Sequence, residues 1–113
     1  MVEQGIQLDA VFGALADPTR RRMLTALRSG EKSVGELAEP FAMSLAGAAK
    51  HVQVLERSQL ITRRKEGRTW YCTINKDAFV AAQEWIQQYS DFWNSNLDKL
   101  TSLLEEERGE SDE

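Results

Sequence analysis

The chain has 113 residues, a formal net charge of −4, 42% hydrophobic residues and a single cysteine, Cys72. This length and hydrophobic content predict one domain with a modest core, and a single cysteine excludes an internal disulfide framework. The sequence shows no signal-peptide pattern and no apolar run of about 18 residues, so secretion and membrane insertion are not expected. The composition therefore predicts a soluble, cytoplasmic protein.

A short segment that ends one helix and begins the next separates the first two predicted helices. Apolar residues recur at helical spacing over residues 8–15, and Asp17-Pro18 then combines a favourable N-cap with a proline suited to the first helical position. Gly30 is expected to end the second helix. The apolar face of the first helix consists of Leu8, Val11, Phe12 and Leu15, whereas Met23, Leu24 and Leu27 of the second helix are predicted to face the core.

The third and fourth predicted helices lie close together in the chain. Ser33 and Glu36 have the spacing of a capping box, and Pro40 cannot continue the short helix that they begin. Ser44 is suited to cap a fourth helix, which follows a tight turn over residues 40–43. The inner face of this fourth helix is predicted to consist of Leu45, Ala48, Val52 and Leu55.

The remainder of the chain predicts a hairpin and one long helix. In the segment TRRKEGRTWYCTIN, alternating side chains flank a turn at Glu66-Gly67. A helix is expected over about residues 77–106, and residues 107–113 are expected to form an acidic, disordered tail. The predicted fold is therefore mainly α with a small β-hairpin, a winged helix-turn-helix of order α-α-α-α-β-β-α, in one domain spanning residues 1–106.

Charge is divided unevenly along the chain. Residues 18–72 contain 11 Lys or Arg and 5 Asp or Glu, a net charge of +6, whereas the flanking segments contain 3 cations and 13 anions. A basic middle between acidic ends indicates a polyanionic partner for the middle alone. Together with the helix pair and the basic hairpin, this division predicts that the protein binds double-stranded DNA.

The outer face of the fourth helix is predicted to enter the major groove of DNA. Small residues there let the backbone approach the base edges, while Lys50 can bond guanine and Gln53 can bond adenine. Ser44 and the N–H groups at the helix start are suited to bind phosphate, and His51 can reach a base or a phosphate. The predicted contacts of this helix are Ser44, Ala46, Gly47, Ala49, Lys50, His51 and Gln53.

A second set of predicted DNA contacts clusters around the hairpin turn, where a wing lies along phosphates or the minor groove. Neutralising phosphates releases counterions, so binding should weaken steeply with salt. These wing residues are Arg63, Arg64, Lys65 and Arg68. The alternative interpretation is a winged-helix module for protein–protein contact, whose basic face binds an acidic partner.

Three segments together resemble the ArsR (arsenic-repressor-like) family of winged-helix transcriptional regulators: ALADPTR, which opens the second helix, KHVQVLE in the fourth helix and KEGR in the hairpin. The resemblance spans roughly residues 8–104. It implies a homodimer that binds operator DNA and usually represses transcription. It also implies DNA contact by Ser44, Ala46, Ala49, Lys50 and His51 and by Arg64, Lys65 and Arg68, with Ala49 standing where the family commonly has Ser or Thr.

Metal-sensing members of that family carry a Cys-x-Cys pair in the helix before the recognition helix, or Asp and His ligands along the last helix. Where those members have the Cys-x-Cys pair, this chain has Leu37-Ala38-Glu39-Pro40, and its last helix contains no His. Because thiolates and imidazoles hold soft metals, and only His51 and Cys72 carry such groups, no metal site and no cofactor are expected. Catalysis is not expected either, since the chain lacks a phosphate-binding glycine loop and a triad. Cys72 is expected to be a small buried hydrophobe, with a redox role as the open alternative.

Dimerisation is expected because the last helix has more apolar surface than one small domain can cover. Pairing of the first and last helices with a second copy would place two recognition helices about 34 Å apart, as an inverted repeat requires. An unidentified protein or small molecule is left open as an effector. The predicted interface consists of Leu8, Val11, Phe12, Ile86, Tyr89, Trp93, Leu97 and Leu100.

Overall fold

The computed structural model describes residues 5–111 of the chain. Within that range none of the helices is both long and apolar enough to cross a membrane. The chain divides into two compact units, one ending at Ala82 and the other beginning at Gln83. The elements, in chain order, are α1 (Leu8–Leu15), α2 (Pro18–Leu27), β1 (Lys32–Ser33), α3 (Val34–Ala38), α4 (Leu45–Arg57), β2 (Ile61–Glu66), β3 (Thr69–Ile74) and α5 (Lys76–Ser111).

The three strands form an antiparallel sheet in the order β1-β3-β2. Strands β2 and β3 form the predicted hairpin. Its turn is Gly67-Arg68, one residue later than the predicted Glu66-Gly67, because Glu66 still pairs with Thr69. Gly67 has a φ of 63°, which lies in the left-handed region that glycine adopts without steric cost. Strand β1 is absent from the predicted order, because two residues are too short to show an alternating pattern and only pairing with β3 creates the strand.

Three helices begin at the caps that the sequence predicted. The Asp17 carboxylate accepts a hydrogen bond of 2.9 Å from the backbone N–H of Arg20 at the start of α2. Ser33 and Glu36 form a reciprocal capping box at the start of α3. The Ser44 hydroxyl accepts a hydrogen bond of 3.0 Å from a backbone N–H in the first turn of α4. These helix starts are therefore determined by contacts within a few residues of the chain.

The Asp17 cap should make the stability of the fold sensitive to acid. The hydrogen bond from the Arg20 backbone N–H is the main cause that lowers the pKa of the Asp17 carboxyl below its ordinary value. A carboxyl whose pKa is lower in the folded chain stabilises the fold above its unfolded pKa, and this contribution is lost as the pH falls through the folded pKa. We expect Asp17→Ala to lower the free energy of unfolding at neutral pH by about 1 kcal/mol.

The matched variant Asp17→Asn retains a good cap but cannot ionise, so it should lose less stability than the wild type below about pH 4. Urea unfolding followed by circular dichroism, repeated from neutral to acid pH, measures both effects. The same pH dependence in the wild type and in Asp17→Asn would contradict this assignment.

The core of the first unit is built from the apolar faces of its helices and from the sheet. Most of the predicted core positions are buried, but two apolar side chains lie elsewhere than predicted. Val11, predicted for the dimer interface, is fully buried in the core and has no surface to offer to a second chain. Leu45, predicted to face inward, is 62% exposed. The buried side chains include Val11, Ala14, Met23, Leu24, Leu27, Leu37, Ala48, Val52, Leu55, Leu60, Ile61 and Cys72.

The second unit is the part of α5 that begins at Gln83. Its large apolar side chains are about half exposed, from 42% for Trp85 to 61% for Trp93. Helix α5 continues to Ser111, so residues 107–111 are helical where the low hydrophobicity predicted a disordered tail. The Leu-Glu-rich sequence before them consists of good helix formers, which favours this extension. Residues 112–113 of the predicted tail lie outside the described range.

Candidate DNA-binding surface

Helices α3 and α4, with the turn between them, form the helix-turn-helix of the fold. Helix α4 packs a narrow apolar seam into the core and leaves its other side in solvent. The residue types on that side are small or hydrogen-bonding, which suits close approach to base edges. The predicted DNA contacts that the structure leaves exposed on α4 are Ala46, Ala49, Lys50 and Gln53.

Ser44 and Gly47 act together at the start of α4. The Ser44 hydroxyl oxygen accepts the hydrogen bond from the Gly47 N–H, and its own proton stays available for donation. A Cβ added at Gly47 would lie 3.4 Å from the Ser44 oxygen, at the edge of ordinary van der Waals contact. Gly47 is only half exposed, so it presents less surface to a ligand than Ala46 and Ala49.

His51 contacts the turn between α1 and α2. Its Nδ1 atom is 3.3 Å from Nη1 of Arg20 and 4.0 Å from Oδ2 of Asp17, and its side chain is 26% exposed. Because arginine only donates, the Nδ1 atom of His51 is the acceptor in this contact. Arg20 also donates to the carbonyl oxygens of Gly13 and Ala14 at the end of α1. The cluster therefore ties α4 to the end of α1.

Two of the four predicted wing cations are held by ion pairs within the chain. Nη2 of Arg63 lies 2.8 Å from Oε1 of Glu56 on α4. Nη2 of Arg64 lies 2.7 Å from Oε1 of Glu31, and its Nη1 lies 3.2 Å from Oε2 of Glu66. The hydrogen bond from Arg64 is the main cause that lowers the pKa of the Glu31 carboxyl. These pairs join β2 to α4 and to the segment before β1.

The other two wing cations, Lys65 and Arg68, are exposed at and beside the hairpin turn. Nζ of Lys65 lies 5.7 Å from the centre of the Trp70 ring. Among residues 5–111, neither cation makes an ion pair with a carboxylate. Lys65 and Arg68 are therefore the wing residues that are available to bind phosphate.

A groove of about 490 Å³ lies between the start of α4 and the wing. Leu45 and Ala49 of α4 line it together with Arg68 and Trp70 of the wing. Neither Leu45 nor Trp70 was predicted to be part of this surface. The position of Leu45 directly after the N-cap could have predicted its exposure, because the first residue of a helix need not pack against the core. No feature of the sequence predicted the exposure of Trp70, because the alternation of side chains along a strand does not tell which face of the strand is buried.

Cys72 lies in the core behind the wing. The side chain is fully buried, and burial is the main cause that raises the pKa of its thiol to about 11. A buried thiol that stays protonated near neutral pH is a poor nucleophile, which agrees with the predicted role as a small hydrophobe. In the part of the chain that the structure describes, no three His, Cys, Asp or Glu residues are placed to hold a metal ion.

Known proteins of similar sequence and structure share this fold. A family described as a helix-turn-helix domain matches residues 15–64. The transcriptional repressor SdpR of Bacillus subtilis is 27% identical over 90 residues, which cover 80% of this chain and 100% of that protein.

Two solved structures extend the likeness. The crystal structure of an ArsR family transcriptional regulator has 43% sequence identity and a TM-score of 0.74, covering 78% of this chain and 91% of that one. The homodimeric winged helix-turn-helix DNA-binding domain Mb0332 of Mycobacterium bovis, a possible ArsR-family regulator, has 29% identity and a TM-score of 0.59, covering 74% of this chain and 77% of that one. With this identity and coverage, and with the winged helix-turn-helix in place, the chain belongs to the ArsR family of transcriptional regulators.

Proposed function

We propose that the protein is a homodimeric transcriptional repressor that binds an inverted-repeat operator in double-stranded DNA. The observation that carries this proposal is the exposed face of α4, where Lys50 and Gln53 stand beside the small residues Ala46 and Ala49. A helix with such a face can lie deep in the major groove and hydrogen-bond to base edges. Repression is supported by the similarity to SdpR, which is a transcriptional repressor.

In this proposal the predicted contacts have two roles. Lys50 and Gln53 supply hydrogen bonds to bases, while Ser44, Lys65 and Arg68 bind phosphates. The other cationic or titratable side chains of the predicted set position these groups. They are His51, which holds α4 against α1, and Arg63 and Arg64, which hold the wing.

The proposed dimer explains the exposed apolar residues of α5. A helix that leaves this much apolar surface in water is expected to pair with another chain. Leu8 and Phe12 of α1 are half-buried and retain surface for the same interface, whereas Val11 does not. The homodimeric state of the Mycobacterium bovis domain supports this arrangement. The α5 residues proposed for the interface are Ile86, Tyr89, Trp93, Leu97 and Leu100.

The proposed regulator acts in the cytoplasm, is not an enzyme and does not sense metal through thiolate and imidazole ligands. Its single His is engaged with Arg20, and its single Cys is buried, so neither is placed to join a soft-metal site. Release from the operator then depends on another signal, either a protein, a small molecule or the concentration of the protein itself.

Selection of bound sequences from a random pool of double-stranded DNA tests this proposal. We expect an inverted repeat whose half-sites are separated by about one helical turn. Affinity for the selected sequence should fall by about 10³-fold or more between 50 and 200 mM salt if six or more phosphates are neutralised across the dimer. Recovery of no preferred sequence, with only salt-sensitive general binding, would reject the proposal and favour a protein-interaction module with an acidic partner.

A further inference from the structure

Leu45 is an exposed leucine at the first position of the helix that is proposed to read DNA. It is 62% exposed, whereas Ala48, Val52 and Leu55 of the same helix are fully buried. At 3.6 residues per turn, Leu45 lies about 50° from the centre of that buried seam and about 40° from Ala49, one turn further on. Leu45 therefore belongs to the flank of α4 that carries Ala49 and not to the core.

The surroundings of Leu45 fit the proposed approach to DNA. Leu45 and Ala49 line the groove between α4 and the wing, with Arg68 and Trp70 on its other side. Arg68 is exposed at the hairpin turn and suits the phosphate backbone. The side chain next to it in the helix, Ala46, is too small to shield Leu45 from a bound base pair. A duplex that contacts the exposed face of α4 and the wing together therefore lies against the groove that Leu45 lines.

The chemistry of the major groove limits what a leucine can contact there. Leucine has no hydrogen-bonding group, so placing it against a guanine, cytosine or adenine edge removes water without replacing its hydrogen bonds. The thymine 5-methyl group is the apolar feature that an unmodified base pair presents in the major groove. Contact between Leu45 and this methyl group buries apolar surface on both sides.

From this geometry we infer that Leu45 reads the methyl group of one thymine in each operator half-site. The inference rests on the proposed function and adds a specificity residue to it. Leu45 supplies an apolar contact at one base pair, and Lys50 and Gln53 supply hydrogen bonds at others. The half-site consequently requires thymine, and not merely an A·T pair in either orientation, at the Leu45 position.

Deoxyuridine gives a direct test, because it pairs like thymidine but lacks the 5-methyl group. Each thymine of one half-site of the selected operator is replaced singly, and affinities are measured by fluorescence anisotropy for the wild type and for Leu45→Ala. We expect replacement at one position to weaken wild-type binding by about three- to tenfold. Leu45→Ala should bind the unmodified operator more weakly by a similar factor and should show no further loss at that position.

Two control variants make the result specific. Leu45 is exposed and alanine favours the helix, so Leu45→Ala should fold normally, which circular dichroism checks. Gln83→Ala, on exposed α5 surface, should retain both the wild-type affinity and the deoxyuridine effect. Lys50→Ala should bind weakly overall yet retain the deoxyuridine effect, because it removes a different contact.

The outcomes separate this inference from the proposed function. If no preferred DNA sequence is recovered, the proposed function itself fails. If a sequence is recovered but no thymine is sensitive to loss of its methyl group, the function stands and the role of Leu45 is overturned. A deoxyuridine effect of equal size in the wild type and in Leu45→Ala would also overturn it.

Discussion

Replacing Trp93 and Leu100 together by Asp should convert the protein to a monomer and lower its affinity for the selected operator by about 10²- to 10⁴-fold. Both side chains are more than half exposed, at 61% and 52%, and lie on one face of α5. A carboxylate buried between two helices without a partner is costly, so the pair of substitutions opposes association. A monomer binds one half-site and loses the gain in affinity that comes from linking two binding events.

Sedimentation of the protein alone and anisotropy with the selected DNA measure the two effects of this variant. The matched control is Gln88→Asp with Ser95→Asp, which adds the same two charges to the same helix. At 3.6 residues per turn these positions lie on the opposite face of α5, and both are exposed. The control should remain dimeric. A Trp93 and Leu100 variant that still sediments as a dimer would show that this face is not the interface.

Lys50→Ala should weaken binding to the selected operator by roughly 5- to 150-fold, the effect of losing a good base contact. Lys50 is exposed on the face of α4 that is proposed to enter the major groove. Removing its ammonium group therefore removes a charge-assisted hydrogen bond to the DNA without disturbing the core. Binding to unrelated DNA should fall much less, because phosphate contacts of the wing remain.

Anisotropy with the selected and a scrambled duplex, together with sedimentation, checks this expectation. Lys99→Ala serves as the control because it removes the same charge from an exposed position on α5, which is not part of the helix-turn-helix. It should leave the ratio of specific to general binding unchanged. An equal loss on both duplexes for Lys50→Ala would assign Lys50 to a phosphate and not to a base.

The distribution of charge shows how the basic middle of the chain is used. Some of its cations are engaged in contacts within the chain and others are not, a difference that composition does not show. Arg20 and Arg21 donate to carbonyl oxygens at the end of α1, and Arg63 and Arg64 form ion pairs with carboxylates. By net charge alone, all of these cations are candidates to bind phosphate. Lys65 and Arg68 fit that role better, because no carboxylate in the described part of the chain neutralises them.

The sequence by itself determined the features that depend on neighbouring residues. The caps at Asp17, Ser33 and Ser44, the turn at Gly67 and the apolar seams of α2 and α4 follow from contacts or periodicity within one element. The same local patterns located the helix pair and the hairpin, and hence the place of the predicted DNA-binding surface. Such features are readable because side-chain spacing and backbone preference act over only a few residues.

Only the tertiary structure decided how individual side chains are used. Strand β1 exists through its pairing with β3, Val11 is covered by the core, and Leu45 remains exposed. His51 is held by Arg20, 31 positions earlier in the chain, and Arg64 is held by Glu31, 33 positions earlier. These contacts join elements that are distant in sequence, so periodicity and capping carry no information about them.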